Sequence, residues 1–242
     1  MTDTFPLVAL VSGANRGIGL AIADGLATRG VRVLLGARDL AKGEAAAAAL
    51  AARGRDVRAV QLDTTDDASV AALARRVTEQ HGRLDILINN AGIGIDHAPG
   101  LSVTEKLEQT LAVNVTGTAR LTEAMLPLLR KAPQGRIVNV SSELASFGLR
   151  ADPDWPYAAF SMPTYQASKA AVNALTVSYA QQLADTAIKV NAICPGYTAT
   201  EATHFMGTKT PEQAAVIAVM FALLDAEGPS GAFVNDSREL PW

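Results

Sequence analysis

Leu7-Val8-Ala9-Leu10-Val11-Ser12-Gly13-Ala14-Asn15-Arg16-Gly17-Ile18-Gly19 joins an unbroken apolar run to a glycine-rich turn, and a helical pattern follows. Five apolar residues in succession, without alternation, mark a strand buried on both faces. Glycines in the turn let backbone N–H groups approach a pyrophosphate at the N-terminus of the next helix. The spacing is G-x-x-x-G-x-G rather than the commoner G-x-G-x-x-G. Its place between a buried strand and a helix points to dinucleotide binding by Gly13, Asn15, Arg16, Gly17, Ile18 and Gly19.

Outward from this turn, apolar runs alternate with helical patterns almost from end to end. Strands are expected at 7–12, 31–36, 57–61, 84–89, 136–140, 188–194 and 232–234. Helices are expected at 18–29, 40–53, 69–80, 105–129, 164–183 and 211–224. The alternation predicts an α/β fold: a doubly wound parallel sheet of about seven strands, with right-handed crossovers and helices on both faces. Without an internal repeat or a disordered linker, residues 1–242 read as one domain.

Composition narrows the function classes. The net charge is −3 and no block of Lys/Arg stands out, which argues against nucleic acid and anionic membranes as partners. Cys194 is the only cysteine, so no intrachain disulfide can form, which suits a reducing cytoplasm. The apolar run 5–11 is too short for a usual signal peptide, and 214–224 falls short of the ~20 residues of a membrane span. A soluble, cytoplasmic protein is expected. His81, His97 and His204 are scattered without metal-ligand spacing, so no metal is assigned.

The ends of the expected strands carry the remaining binding candidates. An NAD site usually has an acid at the end of the second strand, bonded to the adenosine ribose. Here Ala37 takes that place and Arg38 follows. Arg16 and Arg38 without an acid suit a 2′-phosphate, which arginine forks bind bidentately. Asp39 competes as the ribose acid, but its position is explained as the N-cap of the next helix. After the third strand, Asp63 (with Thr64 beside it) is either a helix cap or an acceptor for the adenine amine. After the fourth, Asn90, Ala91 and Gly92 are small enough for close backbone approach to a ribose or adenine. Asn114 falls inside the expected fifth-strand-flanking helix at 105–129, where it either makes specific hydrogen bonds or is merely exposed.

The chemistry centres on Tyr165-Gln166-Ala167-Ser168-Lys169. Pro163 fits the first turn of a helix. Tyr165 and Lys169, at i and i+4, project from one face. A phenol ionises near 10, and a nearby ammonium favours the phenolate. Moving it to about 7 costs roughly 4 kcal/mol, within reach of a partly desolvated cation and a second one. Ser142 is placed to orient a substrate oxygen.

Jointly, Gly13/Gly17/Gly19, Asn89-Asn90-Ala91-Gly92, Asn114, Ser141-Ser142, Tyr165/Lys169 and Pro195-Gly196 resemble the short-chain dehydrogenase/reductase family over nearly the whole chain. The resemblance implies a Rossmann fold and hydride transfer at nicotinamide C4. It makes Tyr165 the acid/base, and Ser142 the holder of the substrate oxygen. Lys169 becomes the ribose ligand that lowers the tyrosine pKa, and Asn114 the holder of a relay water. Pro195, Gly196, Thr198 and Thr200 look like the segment seating the nicotinamide. The 35–39 strand end and the segments 208–212 and 229–234 resemble carbonyl-reductase-like members, in which a basic pair such as Arg16 and Arg38 marks NADP(H) preference.

Two departures bear on substrate. Ser142 and Tyr165 lie 23 positions apart, about ten more than in most members of the family. The extra residues, about 149–162, include Trp155 and read as a wall of the substrate pocket. The 197–209 segment, with Tyr197 at its start, is a short lid that implies an open cleft; Phe205 and Met206 are either lid or core residues. The expectation is an NADPH-dependent reductase of a small-molecule ketone, aldehyde or quinone. Alternatives are an NAD(P)+-dependent alcohol dehydrogenase and a non-catalytic dinucleotide sensor. The choice between monomer and homo-oligomer stays open.

Overall fold

The computed structural model describes residues 6–242; Phe5, the start of the apolar run weighed as a leader, lies outside the described residues. Strands β1 (Val8–Val11), β2 (Arg32–Ala37), β3 (Val57–Gln61), β4 (Ile86–Asn89), β5 (Arg136–Val140), β6 (Lys189–Ile193) and β7 (Phe233–Val234) form one sheet. The order is β3-β2-β1-β4-β5-β6-β7, and every pairing is parallel. The helices are α1 (Gly17–Ala27), α2 (Leu40–Ala51), α3 (Asp67–His81), α4 (Val103–Leu111), α5 (Gly117–Leu129), α6 (Phe147–Arg150), α7 (Pro163–Gln182) and α8 (Pro211–Ala222). This is the doubly wound sheet expected from the alternation.

The unbroken apolar strands divide by the two-residue period of a strand. Val11, Leu35, Ile88 and Val140 point to one face and pack with Ile22 and Leu26 of α1 and Ala218 of α8. Leu10, Leu34, Leu87 and Ile137 point to the other, against Leu73 of α3, Met125 of α5 and Tyr179 of α7. Both faces are therefore covered, which removes the need for polar alternation in the strands.

One expected element is interrupted. The pattern at 105–129 gives α4, a π-helical turn at Ala112–Thr116 and then α5. Such a turn inserts one residue into the helical ladder and often marks a functional position; Asn114 sits in it, 1% exposed. Among the described residues, no helix is long and apolar enough to cross a membrane.

Candidate active site

Strand β1 is the point where the order reverses, with β2 on one side and β4 on the other. Parallel sheets leave a crevice outside the carboxyl ends of their strands at such a point. The glycine loop lies flat against the exit of β4. Gly13 has φ +62°, and a β-carbon on it would stand 3.0 Å from Ala91 Cα. A β-carbon on Gly19 would fall 2.5 Å from Asn90 Nδ2 and 2.6 Å from the Gly13 carbonyl. The Ser12 hydroxyl accepts from the N–H groups of Asn90 and Ala91, each at 3.0 Å. Asn90 Nδ2 donates to the carbonyls of Ser12 (2.8 Å) and Gly13 (3.1 Å). Both side-chain N–H groups of Asn90 are thus spent holding the loop, which leaves its backbone at the exit of β4 as the part a cofactor could approach. The first intrahelical bond of α1 runs from Leu20 N–H to Arg16 carbonyl. The N–H groups of Gly17, Ile18 and Gly19 are left at the positive end of the helix, a ready anion site. Ile18 contributes only backbone there, since its side chain packs on the core. Asn15 is half-buried in the same loop.

At the adenosine end, Ala37 is buried and Arg38 exposed. Asp39 caps α2 by accepting from Lys42 N–H at 3.2 Å, as its position suggested. Asp63 does not cap α3; Asp66 does, accepting from Ala68 and Ser69 N–H. Asp63 instead accepts from the hydroxyl (2.6 Å) and N–H (2.9 Å) of Thr65. The Thr65 hydroxyl holds its carboxyl below the usual range, with smaller help from Arg38 and Arg120. Thr64 is buried against Gly117. Arg16 does not turn toward Arg38: it forms an ion pair with Glu201, in the 3₁₀ turn Glu201–Thr203 of the lid.

The four candidate catalytic residues come from separate elements. Ser142 follows β5 and caps a 3₁₀ turn, its hydroxyl accepting from Leu144 N–H at 3.2 Å. Tyr165 and Lys169 lie in the first two turns of α7, with the ammonium 5.7 Å from the phenol ring centroid. Lys169 Nζ donates to the Val140 carbonyl at 2.8 Å. Burial lowers its pKa to about 8. Burial raises the Tyr165 phenol to about 12, the Cys194 sulfur adding to the rise and the Ser142 hydroxyl opposing it. In the free protein, burial thus acts against the depression expected from Lys169. A β-carbon on Gly92 would stand 3.3 Å from both Asn114 Oδ1 and Lys169 Nζ. Only glycine leaves that gap open. Asn114 is neither exposed nor idle. Its Oδ1 accepts from Ile93 N–H, and its Nδ2 donates to the Ile93 carbonyl and the Ser168 hydroxyl, at 2.8–2.9 Å.

After β6, Pro195 is buried and Gly196 has φ +82°. Thr198 is buried, donates to the Gly196 carbonyl at 3.0 Å and bridges to Lys209. Thr200 packs on Gly17, so the lid touches the glycine loop. Tyr197, Phe205 and Met206 are exposed, which places the last two in the lid rather than the core. Trp155 is different from its expected place in the pocket. It is 7% exposed and fills a small apolar cluster with Leu149, Cys194, Phe233 and Leu240. Its indole thereby joins the insertion to the sheet edge, where Phe233 lies on β7.

Asn139 and Thr176, which support Asn89 of the quoted motif, escape the motif reading. Asn89 and Asn139 are register partners on β4 and β5; Asn89 Nδ2 donates to Asn139 Oδ1 at 2.8 Å, and Asn139 Nδ2 to Thr176 of α7 at 2.9 Å. A buried asparagine inside β5, between Val138 and Val140, was the available signal. Among the described residues, no group of three or more His, Cys, Asp or Glu could hold a metal ion.

A family model described as short chain dehydrogenase matches residues 7–211. Carbonyl reductase [NADPH] 1 of Homo sapiens is 35% identical over 278 aligned residues, covering 97% of this chain and 98% of the relative. Salutaridine reductase from Papaver somniferum superposes with a TM-score of 0.83 at 29% identity, covering 95% of this chain and 99% of that one. RhlG of Pseudomonas aeruginosa, solved as an NADP active-site complex, gives 0.82 at 29% identity, with 95% and 94% coverage. With its parallel sheet, glycine loop and Tyr165–Lys169 helix, the chain belongs to the short-chain dehydrogenase family of oxidoreductases.

Proposed function

We propose that this enzyme reduces the carbonyl of a ketone, aldehyde or quinone with NADPH, using Tyr165 as the proton donor. The glycine loop fits a dinucleotide: a side chain at Gly19 would collide with Asn90 and Gly13, and the first-turn N–H groups of α1 are unpaired. Ala37 in place of an acid, followed by exposed Arg38, fits a 2′-phosphate rather than a bare ribose. The named relatives support the same reading, since one is a carbonyl reductase [NADPH] and one was solved with NADP.

The glycine loop, the first turn of α1 and Arg38 would hold NADPH, which would supply the hydride for the carbonyl carbon. The protein's part is to hold the carbonyl and deliver the proton. The Ser142 hydroxyl donates to the carbonyl oxygen and keeps it beside the phenol. As negative charge grows on that oxygen, the Tyr165 O–H gives its proton to it, leaving an alcohol. Lys169, its charge kept close by the Val140 carbonyl, stabilises the phenolate left behind. The observation that carries the reading is the joint placement of Ser142, Tyr165 and Lys169 beside the glycine loop, and the reductive direction is supported by the relatives named as reductases.

Oxidation of NADPH and NADH, compared over a panel of quinones, α-dicarbonyls, aryl ketones and aldehydes, tests the reading. NADPH consumption with some of these, and much slower NADH consumption, is the expected result. Turnover only in the alcohol-to-carbonyl direction overturns the assignment of direction. Equal use of both cofactors, unchanged in Arg38→Asp, overturns the 2′-phosphate contact.

A further inference from the structure

Helix α7 begins without a cap of its own. Met162, at its N-cap position, has no side chain able to accept from the first turn, and Pro163 has no N–H to satisfy. Gln166 N–H already bonds to the Met162 carbonyl at 2.8 Å. That leaves the N–H groups of Thr164 and Tyr165 as the orphan donors of this helix. Both are taken by one carboxylate from 68 positions earlier. Asp96 Oδ1 accepts from Thr164 N–H at 2.9 Å and Oδ2 from Tyr165 N–H at 3.1 Å. A carboxylate here also complements the positive end of the helix.

The segment carrying Asp96 is itself fixed at both ends. Asn114, in the π-helical turn, grips the N–H and the carbonyl of Ile93. The Asp96 carbonyl accepts from Lys106 Nζ of α4 at 2.7 Å. Between them, the backbone at Gly94 lies against the phenol: a β-carbon there would stand 3.2 Å from Tyr165 Cδ2 and 3.2 Å from Met162 Cε. Asn114 Nδ2 further bonds to Ser168, whose hydroxyl donates to the Tyr165 carbonyl at 2.7 Å. The loop after β4 is thus a bracket that touches Tyr165 at its N–H, its ring edge and, through Ser168, its carbonyl.

We infer that Asp96 is a positioning residue for the proton transfer, fixing the phenol of Tyr165 by capping α7 from the loop after β4. Released from Asp96, the first turn of α7 frays and the hydroxyl loses its place beside Ser142. Misplacement of a reacting group by about 1 Å can cost on the order of a hundredfold in rate. The inference rests on the reductase reading, so its test has one arm that needs turnover and one that does not.

Wild type, Asp96→Ala, Asp96→Asn and Ser102→Ala are compared as holoenzymes with NADPH and a carbonyl that the wild type reduces. Ser102→Ala removes an ordinary cap from α4 and controls for loss of stability. In Asp96→Ala, kcat per folded molecule is expected to fall about tenfold to a hundredfold while NADPH affinity stays within about threefold. Its solvent deuterium isotope effect on kcat rises, because proton delivery has become slow. Asp96→Asn keeps an oxygen acceptor and recovers most of kcat, and Ser102→Ala stays within about twofold of wild type. Hydrogen exchange at residues 164–166, read without substrate, speeds up in Asp96→Ala and not in Ser102→Ala. An unchanged kcat in Asp96→Ala, or a lowered one with an unchanged isotope effect, overturns the inference. Absence of wild-type turnover overturns the reductase reading instead; exchange then decides alone, and unchanged exchange at 164–166 overturns the role of Asp96.

Discussion

Arg16 of the glycine loop and Glu201 of the lid, 185 positions apart, form an ion pair across the mouth of the crevice. Arg16 is one of the two guanidiniums suited to the 2′-phosphate, so in the free protein a carboxylate occupies it. An exposed pair of this kind is worth only about 0–1 kcal/mol, little enough for a phosphate to displace. Glu201→Gln frees the guanidinium at no cost in volume. NADPH is then expected to bind up to about fivefold tighter, with NADH unchanged and the difference vanishing at high salt. Fluorescence titration of both cofactors at two ionic strengths measures this; weaker NADPH binding would mean that Glu201 orients Arg16 instead of occupying it.

Tyr165→Phe removes the hydroxyl proposed as proton donor and leaves the ring that packs against Gly94. A positioned general acid contributes typically a factor of about 10²–10⁴. A loss of kcat in that range is expected, with NADPH affinity within about threefold of wild type. Steady-state kinetics beside a binding titration separates the two. Turnover retained within tenfold would remove Tyr165 from the proton transfer.

Trp155 separates packing from substrate contact. It lies at 7% exposure with Leu149, Cys194, Phe233 and Leu240, and its ring meets Tyr157 edge-on with centroids 5.5 Å apart. Truncating a large buried aromatic costs about 3 kcal/mol or more. Trp155→Ala should lower Tm by several degrees while changing KM for the carbonyl less than Tyr197→Ala does, because Tyr197 is the exposed ring of the lid. The reverse order of effects on KM would return Trp155 to the pocket.

These expectations divide along a physical line. The central strands were legible because a strand covered on both faces needs few polar positions, so β1 and most of β2 and β4 appear as apolar runs; the edge strand β3 exposes Arg58 and Gln61 and is marked only by Val57, Ala59 and Val60. The glycine loop and the Tyr165–Lys169 pair were legible because their geometry is local, within one turn and one helix face. What stayed hidden depends on partners distant in the chain. The π-helical turn at Ala112–Thr116 is held by Asn114 reaching Ile93, 21 positions away, and Gly117 at its end reads from sequence only as a weak helix former. The cap of α7 comes from Asp96, whereas a sequence shows caps only beside the helix they close. The tyrosine pKa is a related case: spacing reveals the neighbouring charge but not the burial that raises the phenol.

That burial also gives stability a pH signature. Lys169 ionises at about 8 when folded, against an ordinary value of 10.5, so between about pH 8 and 10.5 the unfolded chain holds a proton there that the folded one has released. Stability contributed by this group therefore rises with pH across that window. Tyr165 runs the other way: its folded value is about 12 against 10.0, so its contribution is present below about pH 10 and is lost as pH climbs toward 12. Lys169→Met removes the first term and Tyr165→Phe the second. Thermal unfolding of the three proteins at intervals from pH 7 to pH 11 should show the wild-type rise above pH 8 flattened in Lys169→Met and kept in Tyr165→Phe. In the wild type, reduction should weaken above about pH 8 as the Lys169 charge is lost, although Tyr165 still carries its proton there. A reduction rate unchanged from pH 7 to pH 10, with Tm profiles that coincide in wild type and Lys169→Met, would show that the ammonium is not the desolvated charge its surroundings make it.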